Sequence, residues 1–284
     1  RFLLANLAGF DPDCHVIDPE LMLCMDHWLL ERTRTLQEQV QHAYEKYEFH
    51  RVFQLLHNFC VVDMGSFYLD IIKDRQYTTQ ENSIPRRSAQ TAMYHVAEAL
   101  VRWLAPILSF TAEEIWQHLP GRRQDSVLLS GWYELPVAYY SEDEVLHRMG
   151  AEFWERVTAV REAVSKELEK LRGDRKIGSS LDAEVDLYAD VATRSLLESL
   201  GDELRFLLIT SYARVHNESE CPDDAVKADV PGLSFSIKVG PSSFEKCIRC
   251  WHHRKDVGSH AEHPELCGRC VENVAGEGES RRFV

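Results

Sequence analysis

Cys247-Ile-Arg-Cys250 and Cys267-Gly-Arg-Cys270 are two Cys-x-x-Cys pairs with 16 residues between them. Two residues between thiolates let one tight turn aim both sulfurs at a single point. A second such turn completes a tetrahedral S4 shell, the arrangement zinc takes in structural sites. A closed four-sulfur shell leaves no coordination position for substrate. The pattern therefore points to a recognition module folded around one structural Zn2+ and away from metal catalysis. Redox chemistry is the competing use of the motif, but a thioredoxin-like site carries a single pair beside a βαβ pattern.

Four thiolates around Zn2+ leave a local charge of about −2, which nearby cations stabilise. Lys246, Arg249, Arg254, Lys255 and Arg269 supply them, and Lys246 to Lys255 contains no acidic residue. Trp251 and His252-His253 lie in the same stretch. Cations interleaved with flat rings suit phosphate contact and base stacking, so this stretch is a candidate nucleic-acid surface. With four cysteines at the right spacing, His252, His253, His260 and His263 are read as flanking groups, not ligands.

The elements that must position this tail come from 284 residues, enough for two or three domains with proper cores. No apolar run reaches 18 residues and no basic-then-apolar leader opens the chain, so neither a membrane span nor a signal segment is expected. Cys14, Cys24, Cys60 and Cys221 are scattered singly, which fits a reducing cytoplasm. The net charge of −14 opposes general polyanion binding. Residues 1–140 carry −6, residues 141–240 carry −8 and residues 241–284 sum to zero. A local basic surface on an acidic body favours a shaped partner over non-specific coating.

Residues 1–140 read as a helical bundle. Asp18-Pro19 predicts a helix start, followed by a stripe of Leu21, Trp28, Leu29, Leu36, Val40, Tyr44 and Tyr47. Val52, Phe53, Leu56, Phe59, Cys60, Met64, Phe67, Tyr68 and Ile71 recur every three or four residues. A third helix runs from about Pro85 to near Pro106. Thr111-Ala-Glu-Glu114 predicts a capping box, with Phe110 and Ile115 as its staple. Residues 141–242 read as a small α/β unit: a helix over 153–171, strands over 183–188 and 233–239, a short helix over 193–200, and 204–209 open between helix and strand. Residues 243–284 form the zinc module. The expected fold class is mainly α: a helical bundle, then a small α/β domain, then a C-terminal four-cysteine zinc module. Arg1 to Leu7 reads as helix interior, so the chain is expected to be the C-terminal part of something longer.

There is no P-loop, dinucleotide glycine fingerprint, Gly-x-Ser-x-Gly elbow or His-Glu-x-x-His. No catalytic residue is assigned. Phe67-Tyr-Leu-Asp-Ile-Ile-Lys-Asp-Arg-Gln-Tyr77 resembles the anticodon-binding bundle of class I aminoacyl-tRNA synthetases for aliphatic amino acids. Trp103-Leu-Ala-Pro-Ile-Leu-Ser-Phe-Thr-Ala-Glu-Glu-Ile-Trp116 is similar to the next signature of that bundle. Lys176-Ile-Gly-Ser-Ser-Leu-Asp-Ala183 and Lys246-Cys-Ile-Arg-Cys-Trp251 narrow the resemblance to the bacterial isoleucyl-tRNA synthetases, over essentially the whole chain.

The resemblance implies part of an ATP-dependent isoleucine–tRNA ligase. The signatures His-Ile-Gly-His and Lys-Met-Ser-Lys-Ser are absent, so ATP and Mg2+ belong to a catalytic domain outside this chain, which alone is expected to be inactive. The implied partner is the anticodon arm of isoleucine tRNA, bound by a cytoplasmic monomer with no DNA or membrane involved. Lys73, Arg75, Tyr77, Arg86 and Arg87 around one helix connection, with Lys246, Arg249, Trp251, Arg254, Lys255 and Arg269, are the expected tRNA contacts. The knuckle spacing also resembles the zinc finger of formamidopyrimidine-DNA glycosylases, although the bundle and the missing N-terminal proline nucleophile do not. A free-standing tRNA-binding module is the remaining alternative.

Overall fold

Helical periodicity governs the N-terminal half. Leu29, Leu36, Val40 and Ala43 line the inward stripe of α1 (Cys24–Glu45). α2 runs unbroken over Phe49–Thr78, α3 over Ile84–Leu104 and α4 over Ser109–His118. The computed structural model describes residues 1–137 and 149–284, which fall into two compact units: 1–76 with 81–137, and 77–80 with 149–284. The expected boundary at 140/141 lies outside the described residues.

In the first unit α1 packs on α2 and α3, and α3 on α4. The middle of α2, Phe59–Tyr68, winds in wider π-helical turns. An i→i+5 step brings Met64 into the core after Phe59 and leaves Asp63 to meet Arg32 at 3.0 Å. Gly65 suits this turn, because a Cβ there would lie 3.0 Å from the Cys60 carbonyl oxygen. One 18-residue window of α2 has a mean hydropathy of 1.3, apolar enough to cross a membrane by composition. Here Phe59, Met64, Phe67, Tyr68, Ile71 and Ile72 face the bundle core instead. The Trp103 indole donates to Gln37 Oε1 at 2.9 Å, and the guanidiniums of Arg102 and Arg123 lie 4.7 and 4.6 Å from the Trp116 ring.

Two expected starts move. α1 begins at Cys24, because Pro19–Leu21 closes only a 3-10 turn and Asp18 makes no side-chain cap. α4 begins at Ser109, which puts Thr111 inside the helix; Phe110 is 94% exposed and staples nothing.

In the second unit α5 (Ala151–Gly173) turns Phe153, Trp154, Val157, Val160, Val164 and Leu168 inward. Strand β1 (Ala183–Ala189) alternates buried and half-buried residues, as its apolar/polar pattern requires. α6 (Val191–Glu198) is capped by Asp190, which accepts from the Thr193 amide at 2.7 Å. α7 is Leu204–Leu208. Strands β2 (Tyr212–Asn217), β3 (Val226–Lys227) and β4 (Phe235–Pro241) complete a mixed sheet of order β2-β1-β4-β3, with β1 and β2 parallel and the other pairs antiparallel. β2 and β3 were not expected from the sequence. β2 has no clean alternation of burial, and β3 is two exposed residues. Among the described residues the chain is mainly helical, with one small mixed sheet and a C-terminal four-cysteine cluster.

Candidate functional site

Each Cys-x-x-Cys pair folds as a tight turn. In the first, the Trp251 amide donates to the Cys247 carbonyl and the Cys247 amide to the His252 carbonyl, both at 2.9 Å. In the second, Cys267 is the N-cap of α8 (Gly268–Ala275), placing Cys270 in its first turn. The helix N-terminus favours negative charge on these thiolates. The amide of Cys267 also donates to Cys247 Sγ at 3.4 Å, joining the two turns.

All four sulfurs are buried and lie within 4.8 Å of one another. The Cys250–Cys267 Sγ separation is 3.7 Å. That is too long for a disulfide and close to the edge of a tetrahedron built on metal–sulfur bonds of about 2.3 Å. Hydrogen bonds from Cys250, Cys267 and Cys270 hold the Cys247 thiol far below its ordinary value, while hydrogen bonding to Cys247, Cys250 and Cys267, with burial behind it, drives Cys270 far above it. One thiolate is stabilised by three thiols; four thiolates together require a cation. The donor set therefore fits a tetrahedral structural metal. Among the described residues no histidine joins it. His252 packs edge-on against Phe206 with centroids 5.7 Å apart, and His253 Nδ1 lies 2.6 Å from the Phe244 carbonyl oxygen.

The expected nucleic-acid contacts divide into exposed and occupied groups. Trp251 is 61% exposed and Tyr77 62% exposed, and Lys255 is exposed too. Trp251 also has φ +64°, the left-handed region that a bulky L-residue adopts at a cost. Lys73 is exposed and pairs with Asp70 at 3.0 Å; Lys246 pairs with Asp182 at the same distance. Burial alone would raise the Asp182 carboxyl, but the Ser179 amide and Lys246 hold it below its ordinary value. Arg254 stacks on Tyr212, 4.1 Å from the ring centroid, and donates to the Ser211 carbonyl. Arg86 is half-buried.

Arg75 and Arg87 lie inside the bundle. Arg75 is fully buried and forks onto Asp26 at 2.7 and 2.5 Å, a carboxylate that also accepts from the hydroxyls of Tyr68 and Ser88. Arg87 donates to Gln90 at 2.7 Å and Asn82 at 2.6 Å. With its guanidinium inside the core, Arg75 has no surface to offer a phosphate; its role is to neutralise Asp26.

Arg249 and Arg269 each occupy the third position of a knuckle, and both reach the same residue. Arg249 donates to the Thr78 carbonyl and Arg269 to Thr78 Oγ1 at 3.3 Å. Arg269 also pairs with Glu279 at 3.1 Å. Thr78 was missed as a partner because it lies 171 and 191 residues from these arginines and carries no local signal.

A family model described as "Anticodon-binding domain of tRNA ligase" matches residues 26–187, and one described as "Zinc finger found in FPG and IleRS" matches residues 244–273. The chain is similar to proteins named isoleucine–tRNA ligase: 56% identical over 283 residues to that of Methylococcus capsulatus, 57% over 287 to that of Alkalilimnicola ehrlichii, and 53% over 288 to that of Pseudomonas aeruginosa. Each alignment takes in 100% of this chain and 30% of the relative, so the chain spans about 30% of the length of the curated relatives it matches.

Proposed function

Because the chain belongs to the family of tRNA-ligase anticodon-binding domains, we propose that it is the tRNA-binding C-terminal region of an isoleucine–tRNA ligase. The whole enzyme attaches isoleucine to its tRNA using ATP and Mg2+ in a catalytic domain outside this chain, which by itself forms no aminoacyl adenylate. The partner is the anticodon arm of isoleucine tRNA, bound by a cytoplasmic monomer organised as a bundle (1–140), an α/β domain (141–242) and a zinc module (243–284). The end-to-end similarity to isoleucine–tRNA ligases carries this reading. The zinc-finger description is shared with FPG, but the match over 26–187 favours the tRNA ligase.

The physical division of labour follows from exposure. Cys247, Cys250, Cys267 and Cys270 hold one Zn2+, whose chemistry is structural: it fixes two turns that cannot otherwise bring four thiolates together. Trp251 and Tyr77 present rings on which unpaired loop bases stack. Lys73, Arg86, Lys246, Arg254 and Lys255 contribute charge toward the phosphate backbone. Arg87, buried with its guanidinium on Gln90 and Asn82, stands outside this set.

The test is to pass total bacterial tRNA over the immobilised, zinc-loaded chain near physiological salt and sequence what is retained. Enrichment of isoleucine tRNAs is expected. Equal retention of all tRNAs, or of none, refutes identity recognition by this region.

A further inference from the structure

The four residues Tyr77–Gln80 are held by the zinc module. Thr78 and Thr79 are buried, at 4% and 3% exposure, while Tyr77 beside them is 62% exposed. Arg249 caps the Thr78 carbonyl and Arg269 bonds the Thr78 hydroxyl. Gln80 donates to the Gly276 carbonyl at 2.9 Å. Gly278, at φ +94°, leaves room for that side chain, since a Cβ there would lie 3.0 Å from Gln80 Oε1. Thr78 is the last residue of α2, and cationic donors on the final carbonyls of a helix both satisfy them and favour its dipole.

We propose that Arg249 and Arg269 are positioning residues that set Tyr77 for base stacking, and that the metal controls this setting because each arginine sits inside one Cys-x-x-Cys turn. The two knuckles aim their guanidiniums at one residue only when the four sulfurs share one ion. Loss of the ion releases both arginines, uncaps α2 and frees the strap on which Tyr77 stands. Arg249 and Arg269 therefore act through Thr78 and touch no phosphate. The role of Tyr77 as an RNA contact rests on the function proposed above; the latch on Thr78 does not.

Hydrogen exchange in the 284-residue chain tests the latch. Peptides covering residues 77–80 are followed in the wild type and in R249A/R269A, with and without zinc. Chelation of the wild type should speed exchange roughly tenfold or more, the loss of about one net hydrogen bond. R249A/R269A should show the same rise with one zinc still bound per chain, and R249K should recover part of the protection. Unchanged protection in zinc-loaded R249A/R269A overturns the proposal. If that variant loses its metal, Q80A removes a strap contact without touching the knuckles, and unchanged exchange in Q80A is equally fatal. The RNA half is read separately, as binding of an isoleucine-tRNA anticodon stem–loop. Y77A and R249A/R269A should lose affinity alike, by roughly tenfold, the scale of one base–ring stack. Full affinity in Y77A overturns Tyr77 as a contact while the exchange data decide the latch.

Discussion

Replacing Arg75 by Met separates a structural role from an RNA role at a position where sequence suggested the latter. Arg75 and Asp26 both have fully buried side chains, so water cannot take the place of the lost guanidinium. Asp26 would keep the hydroxyls of Tyr68 and Ser88 but lose donations at 2.7 and 2.5 Å, and the Pro85 carbonyl would lose one at 3.2 Å. Burial holds the Tyr68 hydroxyl well above its ordinary pKa, so it stays a donor and cannot supply the missing charge. Removing one partner of a buried ion pair costs about 3–5 kcal/mol. For a domain of this size that lowers Tm by roughly 10 °C. D26L/R75M should recover a good part of the loss, because neither charge is then stranded, giving a coupling of roughly 2–3 kcal/mol in a double-mutant cycle. Urea unfolding of the wild type, both single variants and the double variant supplies the cycle. An R75M chain as stable as wild type but with weakened RNA binding would refute the assignment.

Three further outcomes are expected. Stripping the metal, by chelation or by Cys250→Ser, should unfold residues 243–284 while the bundle keeps its helical circular dichroism, since structural zinc contributes about 10–16 kcal/mol of apparent binding free energy in small zinc peptides; cooperative loss of all helicity would show otherwise. His95 sits 2.8 Å from the Tyr133 hydroxyl, and burial pushes its pKa from 6.5 down to about 4 against the pull of Glu98. Its neutral form is the one folding favours, so its contribution is complete above about pH 6.5 and is lost as pH falls through about 4. The full loss is about 3 kcal/mol, at about 1.4 kcal/mol per pH unit. His95→Gln should flatten urea-derived stability across that window, and an unchanged slope refutes it. Trp251→Gly should move stability and affinity in opposite directions. Relief of the left-handed backbone gains about 1 kcal/mol, and loss of a stacking ring costs about 1–3 kcal/mol in anticodon stem–loop binding; a variant that loses both would make Trp251 a packing residue.

The four-cysteine cluster was legible because its information is local: two short turns and a spacing determine it. Long helices were legible for the same reason. The stripe over residues 84–104 and the apolar run of α5 gave their elements nearly whole. What escaped depends on contacts distant in sequence. β2 and β3 are strands through pairing with β1 and β4, not through their own pattern. The π-helical stretch of α2 leaves apolar spacing almost unchanged while selecting Met64 over Asp63 for the core. The arginines were the least legible. Arg75 and Lys73 are two residues apart on one helix, yet one is buried on Asp26 and the other is exposed. Phe67–Tyr77 is largely a core sequence: Tyr68, Ile71, Ile72 and Arg75 all face inward, and Tyr77 alone stands mostly exposed among its rings.

That sorting of cations constrains how the surface can recognise RNA. A chain of net charge −14 uses many of its guanidiniums internally: Arg75 on Asp26, Arg102 and Arg123 on Glu98, Arg214 on Glu184 and Asp186, Arg269 and Arg281 on Glu279. Of the expected contacts, Lys73, Arg86, Lys246, Arg254 and Lys255 remain to meet phosphates, and Lys73 and Lys246 already hold carboxylates. About three phosphates neutralised at a single-stranded loop give a slope of log affinity against log salt of roughly −2, from about −0.7 per contact. The proposed stacking of RNA bases on Tyr77 and Trp251 should therefore survive moderate salt. Titration of the anticodon stem–loop between about 50 and 200 mM salt should weaken it by roughly 20-fold, not the roughly thousandfold or more of a binder making about six to ten phosphate contacts. A slope steeper than about −5 would mean that the internal pairs open to the RNA and that charge, not stacking, dominates recognition.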